Sequence, residues 1–198
     1  AGRIRQPVYP SVSVLDPSTG KLVHGLAAER AAGQSGDAPV LRSLKRLLNG
    51  ASDDTTVRIG DRKVGIRACL AEFLQSLAAS IRVSAALEPS ETIEAVVTWP
   101  AQGNGAMRAL LRAAFGDAGI ALVGSLNEPT AAAVEYADRV TGGNPRQVRK
   151  LERTLAVFDF GGGTLDVSLV SVIKGRFEVL GSLGDANLGG DDLDAVMA

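Results

Sequence analysis

The chain is poor in the residues that disulfide-bonded, metal-binding and histidine-dependent proteins use. Cys69 is the single cysteine among 198 residues, so we predict neither a disulfide framework nor a cysteine metal cluster, and the composition fits a reducing, cytoplasmic compartment. His24 is the single histidine. The sequence offers no identifiable acid partner for Ser–His catalysis at His24, so we predict a solvent-facing histidine near a turn.

Low charge and the lack of long apolar runs exclude further classes. The formal net charge is −1, which gives no electrostatic case for a nucleic-acid or membrane partner. No apolar run approaches the roughly 20 residues of a membrane-spanning helix, and no basic segment with an apolar core opens the chain. The composition, 45% hydrophobic and 22% charged, is typical of a soluble globular protein of one or two domains. The chain starts without methionine and stops within a predicted helix, so we expect a piece of a larger protein.

A glycine-rich segment is the most informative feature that is present. An apolar run ends at Asp159, three glycines and Thr164 follow, and an alternating run begins at Leu165, a pattern that predicts a β-hairpin. Glycines without Cβ atoms let backbone N–H groups approach an anion closely. Asp159 and Asp166 flank the loop as hard oxygen donors for Mg²⁺, held directly or through water. We predict a phosphate-binding hairpin for Mg-nucleotide, with a ligand-free glycine hairpin as the alternative.

Helical and strand patterns alternate along the rest of the chain. The pattern predicts a hairpin within residues 8–26, a helical segment from 27, a basic amphipathic segment at 41–48, a small hairpin at 57–64, a helix at 65–87, a strand at 93–99, a helix at 106–115 capped by Asn104, a strand at 120–126, a helix at 131–140, and strands at 154–160, 165–173 and 176–182. This order predicts an α/β fold with some parallel pairing, followed after a linker at 141–152 by an antiparallel meander that begins a second lobe.

Four motifs then coincide in one order. They are Ala95–Ala101 (AVVTWPA), Asn127–Ala133 (NEPTAAA), Asp159–Asp166 (DFGGGTLD) and Asn187–Asp194 (NLGGDDLD). In this order they resemble the nucleotide-binding domain of the seventy-kilodalton heat-shock chaperones, a family of the actin-like ATPase superfamily. The similarity covers most of the chain and is weakest before residue 90.

The resemblance implies roles for the residues of the hairpin. Asp159 matches an acid that faces the Mg²⁺ shell, and Asp166 matches a further acid near the attacking water. The loop over the β- and γ-phosphates is matched by Gly161, Gly162, Gly163 and Thr164.

Three residues outside the hairpin also match family positions. Lys45 looks like the lysine that orients water and phosphate, with an ordinary lysine of an amphipathic helix as the alternative. Glu128 matches the glutamate that links the nucleotide site to the lobe junction, although a favourable charge at a helix N-terminus would also explain it. Pro100 matches a proline that relays nucleotide state between lobes.

The resemblance also implies an architecture and an activity. The expected fold is a partial two-lobe actin-like ATPase (RNase H-like), with lobe I over 1–140, an abbreviated upper subdomain at 1–64 within it, a linker at 141–152 and the start of lobe II at 153–198. The full-length parent is expected to bind and hydrolyse Mg-ATP, with ATP/ADP and Mg²⁺ as ligands. Its implied partners are client polypeptides and nucleotide-exchange factors, in a role in protein folding and stress response.

Departures from the family pattern qualify these expectations. The family's leading acid-glycine-threonine hairpin is missing from this sequence, so we expect the 198-residue chain alone neither to bind ATP tightly nor to hydrolyse it. Gln102–Gly105 replaces the family's Tyr-Phe-Asn-Asp. Gly124 stands where bacterial members carry an arginine that J-type co-chaperones use, which leaves that partnership in doubt.

Two other classes of function remain open at this point. An actin-like filament-forming protein shares the hairpin chemistry and would sediment in an ATP- and concentration-dependent manner. A nucleotide-insensitive regulatory relative is permitted by the altered segment at 102–105. The motifs at 127–130 and 188–192 favour the chaperone.

Overall fold

A computed structural model describes residues 8–34 and 38–197. The strands among them are β1 (Val12–Leu15), β2 (Leu22–His24), β3 (Val40–Arg42), β4 (Thr56–Ile59), β5 (Arg62–Gly65), β6 (Ile93–Trp99), β7 (Ile120–Asn127), β8 (Glu152–Phe160), β9 (Leu165–Ile173) and β10 (Arg176–Asp185). The helices are α1 (Gly25–Gln34), α2 (Leu44–Leu47), α3 (Ile66–Ala85), α4 (Gly105–Asp117), α5 (Glu128–Thr141), α6 (Pro145–Val148) and α7 (Gly190–Met197). Each helix in this part of the chain is too short or too polar to span a bilayer.

The described chain forms two compact units. The first comprises the described residues of Ala1–Ala95 together with Asn104–Val123, and the second comprises Val96–Gly103 with Gly124 onward. Strands β6 and β7 pair in a two-stranded sheet, and both contribute residues to each unit. The predicted lobe boundary at 141–152 does not coincide with this division, and the lobe assignment itself stays a prediction.

The first unit is built around a small antiparallel sheet and two helices. Strand β1 lies between β2 and β3, and α1 covers the sheet through a core of Val12, Val14 and Ala28. Strands β4 and β5 form a hairpin, and the 20-residue helix α3 packs against α4. The buried residues of α3 recur at the three- and four-residue spacing of one helix face: Ile66, Cys69, Leu70, Ala71, Leu74 and Ala78.

The second unit is an antiparallel meander covered on one face by a helix. The strand order is β10-β9-β8, and α5 packs on the sheet through Ala133, which shares a core with Val170 and Val172. Both valines are nearly fully buried because they occupy alternate positions of the central strand. Since α5 supplies part of this core, it groups with the strands that follow it.

Many of the predicted elements are confirmed. Both early hairpins, the strand at 93–99 and the three late strands form, and Asn104 caps α4 by accepting a hydrogen bond from the Met107 amide at 2.8 Å. The amphipathic segment at 41–48 is divided instead. Its first residues pair with β1, and Ser43 takes a left-handed conformation (φ 53°) before the short helix α2.

The prediction of a solvent-facing His24 is wrong. His24 is 6% exposed, and its Nδ1 lies 2.8 Å from the hydroxyl of Ser13, its register partner on β1. Its Nε2 lies 3.5 Å from a carboxylate oxygen of Glu72, and its ring contacts Phe73 edge-on. Burial, opposed by Glu72, lowers the pKa of His24. The acid partner lies 48 residues away on α3 and has no local signal in the sequence.

Candidate functional site

The glycine loop closes the β8–β9 hairpin. Phe160 and Leu165 are the last register pair, and the amide of Gly161 donates to the carbonyl of Thr164 at 3.0 Å. Gly161 and Gly162 are exposed. The predicted hairpin is therefore confirmed, with four residues in its loop.

The loop is docked on the N-terminus of α7. The amides of Gly190 and Asp191 donate to the carbonyls of Gly161 and Gly162 at 3.0 and 2.8 Å. The first amides of a helix lack intrahelical acceptors, so the loop carbonyls satisfy them. Because a peptide group is planar and trans, a Gly161 carbonyl that faces α7 directs the Gly162 N–H to the opposite side.

Two features of α7 make this close approach possible. A Cβ on Gly189 would overlap the carbonyl group of Gly162 and lie 2.6 Å from the amide nitrogen of Gly163, so no larger residue fits there without a backbone shift. The carboxylate of Asp192 accepts a hydrogen bond from the Gly189 amide at 2.8 Å, in the manner of a capping box. Residues Gly189–Asp192 of the fourth motif therefore hold the hairpin loop.

Three predicted carboxylates line one small cavity of the second unit. Asp159 and Asp166 are a register pair one step before the loop, and Glu128 is the first residue of α5. Like charges directly opposite each other destabilise a sheet pair, so a cation would relieve this arrangement. The complete lining consists of Ala101, Glu128, Pro129, Val157, Asp159, Asp166, Ser168 and Ser182.

Sequence reasoning missed the polar floor of this cavity. The hydroxyl of Ser168, which is 3% exposed, donates to the hydroxyl of Ser182 at 2.9 Å. The side-chain amide of Gln102 donates to the Ser182 carbonyl at 3.3 Å, which ties the segment after Pro100 to β10. The sequence signal that could have revealed this floor was Ser168, a polar residue at an inward-facing position of β9 where the alternation predicts an apolar one.

Two of the predicted residues, Pro100 and Lys45, are not part of the cavity lining. Pro100 is half-buried and precedes the cavity residue Ala101. Lys45 is half-buried on α2, in the first compact unit. Within residues 8–34 and 38–197, no three His, Cys, Asp or Glu side chains cluster as a ready-made metal site. Two carboxylates that reach a cation through its waters do not require such a cluster.

The chain matches a known protein family over most of its length. The family model described as Hsp70 protein matches residues 39–198, and that family implies the actin-like ATPase fold, in agreement with the α/β architecture. The chain belongs to the Hsp70 family. The comparison favours the chaperone interpretation over the filament-forming alternative.

Curated relatives agree with this assignment. The chain is 44% identical over 108 residues to a heat shock cognate HSP70 protein of Trypanosoma brucei brucei, covering 54% of this chain and 15% of that protein. It is 43% identical over 127 residues to a chaperone protein HscA homolog of Colwellia psychrerythraea, covering 64% and 18%. It is 43% identical over 107 residues to a chaperone protein dnaK of Phaeodactylum tricornutum, covering 54% and 16%. The match thus spans less than a fifth of each relative's length.

Proposed function

We propose that this chain is part of the nucleotide-binding domain of an ATP-dependent chaperone, and that the β8–β9 hairpin holds the phosphate tail of Mg-ATP. The observation that carries the proposal is the cavity in which Glu128, Asp159 and Asp166 converge, next to a hairpin loop of three glycines and Thr164. Carboxylates and backbone amides so arranged suit a magnesium-bound polyphosphate, since the metal needs oxygen donors and the phosphate needs N–H donors.

The loop is suited to the phosphate oxygens. The Gly162 amide faces away from α7, which directs its N–H toward a phosphate on the other side of the loop. Thr164 would add a hydroxyl donor. Gly161 and Gly163 complete a backbone that approaches an anion without a Cβ in the way. Preorganised donors of this kind stabilise charge that develops during phosphoryl transfer.

The two aspartates would hold the metal through its waters. Asp159 is exposed and Asp166 is half-buried, so both can reach a hydrated ion at the hairpin. Bound Mg²⁺ neutralises phosphate charge. Asp166 would also orient the attacking water, and Glu128, fixed at the first turn of α5 beside the buried Pro129, would couple the site to that helix.

Lys45 and Pro100 complete the assignment by their match to family positions. Lys45 would orient water and phosphate, and Pro100 would relay nucleotide state. The larger architecture in this proposal has lobe I over 1–140, a linker at 141–152 and lobe II from 153. ATP hydrolysis would drive the binding and release of client polypeptides with nucleotide-exchange factors as partners, in the cytoplasm.

The test compares three single substitutions in the full-length protein. Asp159→Asn and Asp166→Asn keep shape and remove charge, so ATP hydrolysis should fall by about 10²-fold or more. Asp194→Asn is the matched control, because Asp194 is an exposed acid of α7 outside the cavity, and it should keep the wild-type rate. Unchanged hydrolysis in Asp159→Asn would contradict the metal assignment.

A further inference from the structure

Positive charge is concentrated at the end of the meander opposite the glycine loop. Strand β8 spans roughly 26 Å from Glu152 to Phe160 at the usual strand rise, so this end is remote from the proposed phosphate site. Two segments meet there, residues 146–153 and the β9–β10 turn. We call this surface the basic end and define it by its exposed basic residues Arg146, Arg149, Lys150, Arg153, Lys174 and Arg176.

Contacts and strand register bring these residues to the same end of the meander. A Cβ added to Gly175, in the β9–β10 turn, would lie 3.3 Å from the side chain of Arg149, so the turn and the segment after α6 are in contact. Arg153 is the register partner of the buried Val172 and Arg176 that of the exposed Ile173, so these two arginines project from opposite faces at the same end of the sheet. The charges therefore cluster in space although more than twenty positions separate them in sequence.

The basic end is not neutralised from within. Its six basic side chains make no ion pair or side-chain hydrogen bond with the described residues. Glu152 is the only acid within residues 146–153, and Glu178 follows Arg176 two positions later in β10, whereas the whole chain carries a net charge of −1. This surface therefore has a charge of its own, opposite in sign to that of the whole chain, which would attract and orient an acidic partner.

We infer that the basic end is a docking surface for an acidic segment of a partner protein. Ile173 is 48% exposed and lies in the register row between Glu152 and Arg176, so the surface combines an apolar centre with charges around it. Four of the six basic residues are arginines, the charged residue enriched in protein interfaces.

This pattern fits a protein better than a uniform polyanion. Glu152 and Glu178 lie among the basic residues and would repel a phosphate backbone or an anionic lipid surface, whereas a protein partner can present a basic group to them. None of the six basic positions is flanked by an exposed aromatic side chain on which a base could stack. The surface also lacks an amphipathic helix that could enter a membrane interface.

The test measures binding of the 198-residue chain to three fluorescent probes by anisotropy. The probes are a peptide rich in glutamate and leucine, a duplex DNA, and vesicles that contain phosphatidylserine. The peptide should bind most tightly, and its affinity should fall as NaCl is raised. Tighter binding of DNA or vesicles, or no peptide binding at low salt, would overturn the inference.

Charge-reversal variants locate the binding site. Joint replacement of Arg149, Lys174 and Arg176 by Glu should lower peptide affinity about tenfold or more. The matched control replaces Arg30, Arg58 and Lys63 by Glu, which are equally exposed and lie in the first unit, and should stay within about twofold. Equal losses in both variants would refute a local site. If circular dichroism shows that the first variant is unfolded, Arg149, Lys174 and Arg176 are replaced by Gln instead, and the same loss of peptide affinity is expected.

Discussion

Gly184 lies directly across β9–β10 from Asp166, and a Cβ at Gly184 would overlap the carboxylate of Asp166 and lie 2.6 Å from the Leu165 carbonyl oxygen. The Asp166 carboxylate therefore occupies space that only glycine leaves free. Gly184→Ala should keep the meander but displace Asp166, which would lower magnesium-dependent ATP binding by the full-length protein by about tenfold or more. Calorimetry with and without Mg²⁺ measures this loss.

Gly181→Ala is the matched control for this prediction. Gly181 belongs to the same strand, and an added Cβ there would meet no atom within 4 Å. It should bind Mg-ATP as the wild type does. A crystal structure of Gly184→Ala with Asp166 in its original position would contradict the argument.

The hairpin and its carboxylates were readable from sequence because their signals are local. Asp159 and Asp166 bracket a glycine run between two alternating strands, so pairing of the strands necessarily makes them neighbours. The need for a glycine at position 184, opposite Asp166, could not be predicted from the sequence in the same way. Its requirement arises from the register of a third strand, including a shift between Val179 and Gly181 that a simple alternating pattern does not reveal.

Gly189 offers a second test of close packing. In Gly189→Ala the new methyl group would meet the backbone of the hairpin loop, and overpacking of this kind costs about 1–3 kcal/mol. We expect a lower urea midpoint and faster hydrogen exchange at the Gly190 and Asp191 amides, which now donate to the loop.

The neighbouring glycine provides the comparison for Gly189. At Gly190 an added Cβ would lie 3.7 Å from the nearest atom, an ordinary contact, so Gly190→Ala should change stability by no more than about 0.5 kcal/mol. If both variants exchange the two amides at the wild-type rate, the docking of the loop on α7 does not depend on Gly189.

Buried His24 should make stability depend on pH. Burial lowers its pKa in the folded state, so the unfolded chain binds more protons at and somewhat below the ordinary value of 6.5. The contribution of neutral His24 to the free energy of unfolding should therefore be fully present above that value. It should decline as pH falls through it, by at most about 1.4 kcal/mol per pH unit. Urea unfolding of the 198-residue chain across this range measures the slope.

Replacement of the imidazole isolates its contribution. His24→Asn keeps a polar group near Ser13 but cannot titrate, so its stability should vary less with pH than that of the wild type. Glu72 is the titratable group that acts on His24, and it opposes the lowering of the His24 pKa. A wild-type slope that persists in His24→Asn would assign it to another group.

In the first unit, the buried environment of His24 could not be predicted because it is formed by contacts between distant segments. The hairpin within residues 8–26, whose turn Asp16 stabilises, and the α4 cap at Asn104 depend on neighbours within four positions, and both were predicted. The environment of His24 depends on Ser13 in another strand and Glu72 in α3. Residues so far apart in sequence leave no periodicity that marks them as partners.

Arg67 should stabilise the α3–α4 pair through geometry as well as charge. Its guanidinium donates to both carboxylate oxygens of Asp117 at 2.6 and 3.0 Å and to Asp53 at 3.1 Å, which joins the start of α3 to the end of α4. The Arg67 hydrogen bonds hold the pKa of Asp117 below its ordinary value, so this contribution is present above that value and is lost as pH falls through the folded-state pKa. Lysine cannot reproduce the two-point contact, so Arg67→Lys should lower the melting temperature modestly at neutral pH, and less at high salt because the pair is exposed. Arg139→Lys is the control, because it alters a single-point pair with Glu135 on α5, and it should lower the melting temperature less. If the melting temperature of Arg67→Lys falls by the same amount at every salt concentration and pH, packing and not the ion pair is responsible.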